Sequence, residues 1–249
     1  MSHVITCLIA IFTIFANSTS TFAATQDRVA TKVQVEADLN KDLALDWTPM
    51  TALEKRTCID GRPVADFKGD IVEYWANIEC PYCTVQEVAK AQRDNPEICI
   101  VVRHSPTEGY SESVKKALSY EALREYSVNA ANQFWLAVMP KTNIAIPSPY
   151  GSALQTAVQE AAIDMEKFSE TLTGIAKERV SEDIVASRQR ILSTPTFVMD
   201  GLRFPACDFK AAEIPVALDL AKKARKGDNE ARNKIMEIII HGILGETML

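Results

Sequence analysis

The chain of 249 residues is short of positive charge, of internal repeats, of cysteine and of long apolar runs. Its 27 Lys and Arg against 33 Asp and Glu give a net charge of −6, which argues against a general nucleic-acid binder, since such proteins carry a basic face. No repeat with a period of about 20 to 50 residues is present, which makes a solenoid unsuitable. Six cysteines are too few in so long a chain for a small disulfide scaffold. What the sequence does have is an apolar fraction of 47%, ordinary for a globular protein, so disorder across the whole chain is excluded. The length suits one large domain, or one domain with a sizeable insertion.

The first apolar run, residues 4–16 (VITCLIAIFTIFA), is 13 residues long and falls short of the roughly 20 that a membrane-spanning helix needs. A polar stretch follows, then Phe22-Ala23-Ala24. Thr21 and Ala23 are small enough for a signal peptidase site, which sets a signal peptide over residues 1–23 and removes Cys7 with it. The segment has no Lys or Arg before the run, so an uncleaved anchor is the alternative. Export to a compartment where disulfides persist is the expectation.

Beyond that segment, residues 24–50 are polar and charged and read as a mobile or helical leader. Residues 51–59 could form a first strand, closed by Asp60-Gly61-Arg62-Pro63. Residues 70–76 (DIVEYWA) are β-branched and aromatic, a strand pattern, and 98–103 (ICIVVR) is a short apolar run of the kind found in buried strands. Between them, 83–92 carries apolar residues at helical spacing and should begin near Cys80-Pro81. Residues 111–190 have little strand character and read as several helices, broken at Pro140 and at 147–151. The charged positions from Glu112 to Lys116 read as a solvated helix face. Strand character returns at 196–199, with Asp200-Gly201 as a hairpin turn into Leu202-Arg203-Phe204. Helices are expected over 211–224 and 230–244, the second capped by Asp228 or Asn229.

The chemistry sits in Cys80-Pro81-Tyr82-Cys83. Two cysteines with two residues between them suit a redox dithiol, half a zinc site or haem attachment. Haem attachment of the c type needs His next, and Thr84 stands there. Zinc needs further ligands at short spacing, and only His104 and His241 remain, far along the chain. The pair follows an expected strand and opens an expected helix, where amide groups and the helix dipole favour a thiolate. Pro81 suits an early helix position because it has no N–H to lose. Cys80 is then the exposed nucleophile and Cys83 the resolving thiol. A purely structural disulfide is the bland alternative.

Glu73-Tyr74-Trp75-Ala76, Cys80-Pro81-Tyr82-Cys83, Thr194-Pro195-Thr196-Phe197-Val198 and Asp200-Gly201 together resemble the DsbA-like periplasmic thiol-disulfide oxidoreductases. The resemblance covers about residues 51–224 and implies an α/β, thioredoxin-like fold with a helical insertion between the central strand and the cis-proline hairpin. On that pattern, residues 51–104 hold the N-terminal half with the CxxC, 105–190 the insertion, 191–225 the C-terminal half and 226–249 a helical tail. It makes Pro195 the cis-proline facing the dithiol, with Thr194 before it to pair with an extended substrate. Glu73 would be the buried acid behind Cys83 that handles its proton, although it stands seven residues before Cys80, one more than usual. The extra residue would be absorbed in Asn77-Ile78-Glu79; a partly exposed strand glutamate is the alternative.

Strongly oxidising members of the family carry His where Tyr82 stands. Tyr brings no charge near neutral pH, and Glu79 disfavours a second negative charge nearby, so Cys80 should be a milder thiolate here. If the thioredoxin order holds, Cys58 and Cys99 lie on neighbouring strands and could pair; equally, Cys99 could be a small buried apolar residue. Cys207 remains over. Trp75, Tyr74 and Phe197 read as core.

The expected activity is an exported thiol-disulfide oxidoreductase acting on cysteine-containing exported proteins, served by a membrane redox partner, with no metal, organic cofactor or nucleic acid. A disulfide isomerase or reductase is the alternative within the chemistry, and a non-catalytic assembly chaperone the alternative outside it. The tail carries Ile235, Met236, Ile239, Ile240, Ile243 and Leu244 on one helical stripe. This stripe needs cover from the chain itself or from a homo-oligomer built through the terminal segments.

Overall fold

The strands form where β-branched and aromatic residues run together. β1 (Asp70–Ala76) and β2 (Ile98–His104) pair in parallel, with Asp70 opposite Ile98 and Ala76 opposite His104. Every residue of β2 is buried, which is why it reads as a continuous apolar run rather than an alternating one. The computed structural model describes residues 21–44, 53–106, 111–140, 149–191, 193–205 and 211–244. The expected signal run at 4–16, Pro147 and Cys207 lie outside them. No helix among the described residues is long and apolar enough to cross a membrane.

The chain divides into two units, Pro49–Pro195 and Met1–Thr48 with Thr196–Leu249. In the first, β1 leads through the CPYC turn into α2 (Val85–Asp94), which returns the chain to β2. Val85, Val88 and Ala91 give α2 a buried stripe, and the Gln92 side chain accepts the Ile100 N–H at 2.6 Å, tying the helix to β2. Five helices follow: α3 (Ser111–Arg124), α4 (Val128–Val138), α5 (Tyr150–Glu160), α6 (Met165–Thr173) and α7 (Ile175–Arg190). Ser127 caps α4 and Asp164 caps α6 through their side chains.

α7 packs on β2 through buried charge. Asp183 accepts from Arg103 Nε at 2.7 Å, from Arg56 Nη2 at 3.0 Å and from the His104 N–H at 2.9 Å, all without solvent access. Removing one partner of such a group costs about 3–5 kcal/mol, because the other charge is left buried and alone.

Of the strand expected over 51–59, the described residues from Leu53 on keep a single bridge, between Thr57 and Pro63. Arg56 is drawn inward to Asp183, and the backbone folds on itself: Cys58 N–H donates to the Arg62 carbonyl at 2.8 Å and Val64 N–H to that of Arg56 at 3.0 Å. Gly61 takes the turn at φ 93°, where a side chain would be strained. Cys58 is bonded to Cys99 on β2, and the disulfide lies among Leu53, Val64 and Val101. The pairing left open by the sequence is therefore made, and Cys99 is more than an apolar filler.

In the second unit, β3 (Thr196–Met199) and β4 (Leu202–Pro205) form the expected hairpin. Asp200 and Gly201 both take positive φ, 47° and 78°, which suits the twist of a two-residue turn. The helical leader is α1 (Thr21–Ala44), so the expected cleavage point after Ala23 falls in its first turn. A short 3-10 turn at Ala211–Glu213 precedes α8 (Ile214–Arg225), and α9 (Asn229–Leu244) follows. Asp228, rather than Asn229, caps α9 by accepting from Glu230 N–H and Ala231 N–H at 2.9 and 3.0 Å. α9 packs against α1, α8 and β4, burying Ile235, Met236, Ile239 and Ile240 together with Val35 and Leu39 of α1. The part of the apolar stripe from Ile235 to Ile240 is thus covered within the chain, as the first of the two expectations had it.

Candidate active site

β1 ends at Ala76, and the next eight residues make two turns before α2. Cys80 N–H donates to the Asn77 carbonyl at 2.9 Å, and Cys83 N–H donates to the Cys80 carbonyl at 3.1 Å. The second bond closes the CPYC segment into a turn with both sulfurs on it. α2 starts only at Val85, with Thr84 as N-cap, so the dithiol precedes the helix rather than occupying its first turn. The expectation that Cys83 stands inside the helix is corrected accordingly; the amides around the sulfurs belong to the turn.

Both cysteines are free thiols, Cys80 half-buried and Cys83 fully buried. Their acidities diverge. The Cys83 thiol hydrogen-bonds Cys80, and with the Tyr82 and Cys83 amides and the Thr194 side chain it outweighs the cost of burial, lowering the Cys80 pKa to about 7. Burial pushes Cys83 well above the ordinary thiol range, and the neighbouring Cys80 adds to the rise. At neutral pH Cys80 is partly thiolate while Cys83 holds its proton, a division the sequence could only infer from order along the chain.

The second wall comes from the far end of the unit. The Thr194–Pro195 peptide is cis, and the Thr194 carbonyl lies 3.4 Å from Cys80 Sγ, accepting from the thiol when it is protonated. The Thr194 side chain also hydrogen-bonds both sulfurs. Thr194, Pro195, Cys80, Pro81, Tyr82 and Cys83, all singled out from sequence, thus lie in one unit, and Thr194 touches the dithiol directly.

Glu73, the acid expected behind Cys83, has a partner on β2. It is fully buried and pairs with Arg103, Nη1 to Oε2 at 2.6 Å, while Arg103 stacks over Trp75. Side chains alternate along a strand, and it is Tyr74, the next residue, that hydrogen-bonds Cys83. Its phenol is held well above its usual pKa, first by burial and then by the two thiols. The sequence assigned the acid by family position; the strand's phase assigns that face to a tyrosine.

Three more residues at the site carried no readable signal. Trp135 of α4 donates its indole N–H to the Cys83 carbonyl at 2.9 Å, and its ring meets Tyr120 edge-on and stacks on His104. Lys116 of α3 pairs with Glu79, so the charge expected to burden Cys80 is matched. The face from Glu112 to Lys116 is therefore only partly solvated: Glu112 and Lys115 pair at 3.7 Å in solvent, and Lys116 turns inward. Ser113, also on α3, hydrogen-bonds Asn77. Each contact crosses more than thirty residues of sequence, beyond any local pattern.

The strand pairing, the dithiol turn, the helices between β2 and β3 and the hairpin define a protein with a thioredoxin-like fold. Within that class the arrangement is similar to that of DsbA-like structures. A linker-deleted mutant of Proteus mirabilis ScsC aligns over 83% of this chain and 89% of its own, at 14% identity and a TM-score of 0.52. A second structure of Proteus mirabilis ScsC, in a transitional conformation, aligns over 80% and 85% at 14% identity and a TM-score of 0.51. The thiol-disulfide exchange protein α-DsbA2 of Wolbachia pipientis aligns over 84% of this chain and all of its own, at 15% identity and a TM-score of 0.50. No protein-family model and no curated protein matches the sequence.

Proposed function

We propose that the chain is an exported thiol-disulfide oxidoreductase that exchanges disulfides with cysteine-containing exported proteins through Cys80 and Cys83. The observation that carries this reading is the unequal pair: a half-buried Cys80 with a pKa of about 7 against a buried Cys83 that keeps its proton. In the reducing direction the Cys80 thiolate attacks a substrate disulfide, forming a mixed disulfide and releasing one substrate thiolate. Cys83 then gives up its proton and attacks Cys80 Sγ, forming the Cys80–Cys83 disulfide and releasing the second substrate thiolate. Two electrons pass from the dithiol to the substrate; the oxidising direction is the same sequence reversed. The Thr194 carbonyl beside Cys80 offers an acceptor to the backbone of an extended substrate segment, next to Pro195. Periplasmic location and a membrane redox partner that resets the dithiol complete the proposal.

The direction is the second question. A thiol pKa of about 7 resembles that of reducing dithiols more than the far lower value of strong oxidants, which favours the isomerase or reductase direction. Thiol trapping of Cys80 and Cys83 in cells decides it: a mainly reduced pair supports the reducing direction, a mainly oxidised pair an oxidase. Purified protein in glutathione buffers tests the function itself. Failure of the pair to equilibrate would overturn the oxidoreductase reading and leave an assembly chaperone, whose binding should survive Cys80→Ser.

A further inference from the structure

Three residues, Asn77-Ile78-Glu79, join β1 to the dithiol. The structure gives this segment a buried centre. Asn77 is 6% exposed, and its side-chain oxygen accepts two hydrogen bonds. One, from the Glu79 N–H at 2.9 Å, closes the turn; the other, from the hydroxyl of the fully buried Ser113 at 2.7 Å, fastens the turn to α3. Through its main chain the same residue reaches both cysteines. Its carbonyl accepts the Cys80 N–H at 2.9 Å, and its own N–H hydrogen-bonds the Cys83 sulfur.

We propose that Asn77, fixed by Ser113, is a positioning residue of the dithiol that sets how the Cys83 thiol stands toward the Cys80 sulfur. The proposal rests on the reading of Cys80 and Cys83 as an exchanging dithiol. The physical route is short. The thiol-to-thiolate hydrogen bond is the largest contribution holding Cys80 acidic, and such bonds weaken steeply when distance or angle drifts. Trp135 holds the Cys83 carbonyl from α4, so that side of the turn stays fixed when Asn77 is changed. Ile78, 1% exposed, keeps the loop from swinging out. Losing the amide oxygen therefore loosens the Cys80 side alone. It also leaves the Glu79 N–H and the Ser113 hydroxyl without their acceptor.

The test is the pH dependence of Cys80 alkylation, located by peptide mass, in the full mature chain and in Asn77→Ala. If the Cys80 pKa rises by about one pH unit, the variant alkylates roughly tenfold more slowly at pH 6, and the two rates converge above pH 9. Superimposed profiles, with only a lower unfolding midpoint in the variant, would overturn the proposal and leave Asn77 as a structural residue. Should Asn77→Ala not fold, Ser113→Ala keeps the turn-closing bond and should shift the profile in the same direction by less; an unshifted profile there overturns the proposal equally. Exchange of the wild-type pair with glutathione is measured alongside. Its absence would sink the functional reading, whereas its presence with unshifted variant profiles sinks only the role of Asn77.

Discussion

Cys58 and Cys99 are bonded and fully buried among Leu53, Val64 and Val101, with Phe67 and Ile71 packed against them. Cys80 and Cys83 belong to the same unit, yet they are free, and the sulfur of Cys80 meets a thiol, two amides and the Thr194 side chain. The difference teaches what makes a cysteine pair reactive. An apolar shell offers a thiolate no hydrogen bonds and bars any incoming thiolate, so the first pair is a staple. A ring of donors on one side and an opening on the other makes the second pair exchangeable. Spacing along the chain matters less than the groups aimed at each sulfur.

The strongest way to break this comparison is to remove the nucleophile. Cys80→Ser should bring disulfide exchange with a model substrate down to the uncatalysed background while leaving the unfolding midpoint nearly unchanged. Retained turnover would mean that the staple, or another thiol, does the chemistry. The mirror experiment removes the staple. Replacing Cys58 and Cys99 together by Ala opens a closure of 41 residues and should cost about 4 kcal/mol of stability by the loop-entropy estimate, with exchange by Cys80 preserved at a temperature where the variant is folded. Loss of exchange in the folded variant would show that the two pairs are not independent.

Alkylation sharpens the contrast inside the reactive pair. Cys80 should react at a rate that climbs as pH rises through about 7 and levels off above it, because its folded pKa is depressed and the thiolate forms early. Cys83, raised and buried, should lag by at least about tenfold at pH 7. The stability linkage has matching signs: the depressed Cys80 pKa favours the folded state at high pH and loses that effect as pH falls through about 7. The smallest effect is expected from Tyr82→His. A partly charged imidazole beside the turn should lower the Cys80 pKa further and make the disulfide more oxidising. A shift of the potential in the reducing direction would contradict the electrostatic account of position 82.

Much of the frame was legible because it is local. β1 and β2 announce themselves through DIVEYWA and ICIVVR, the hairpin through Asp200-Gly201, and the dithiol through its own spacing. Tyr74, Trp75 and Phe197 are core, as strand aromatics suggest. What stayed illegible is long-range or depends on phase. Glu73 and Tyr74 are neighbours in sequence, and a one-residue difference decides which of them meets Cys83. Lys116 looks like part of a charged surface until Glu79 is brought against it. The residues 51–59 have strand composition, but where they are described, from Leu53 on, Arg56 is buried against Asp183 and the backbone turns, so tertiary charge pairing overrides local preference. Trp135 carries no local signal, and the task of its indole N–H shows only once α4 is placed.

The pairing of α1 with α9 carries a consequence for biogenesis. One unit is continuous in sequence, Pro49–Pro195, whereas the other is assembled from the two ends of the chain. A chain that emerges N-terminus first can complete the continuous unit, its Cys58–Cys99 bond included, while α1 still waits for a helix some two hundred residues downstream. Until then Val35 and Leu39 have no cover from α9, which leaves α1 open to proteases and to holdase chaperones. Pulse-labelled nascent chains should therefore gain protection in two steps, the continuous unit before the split one.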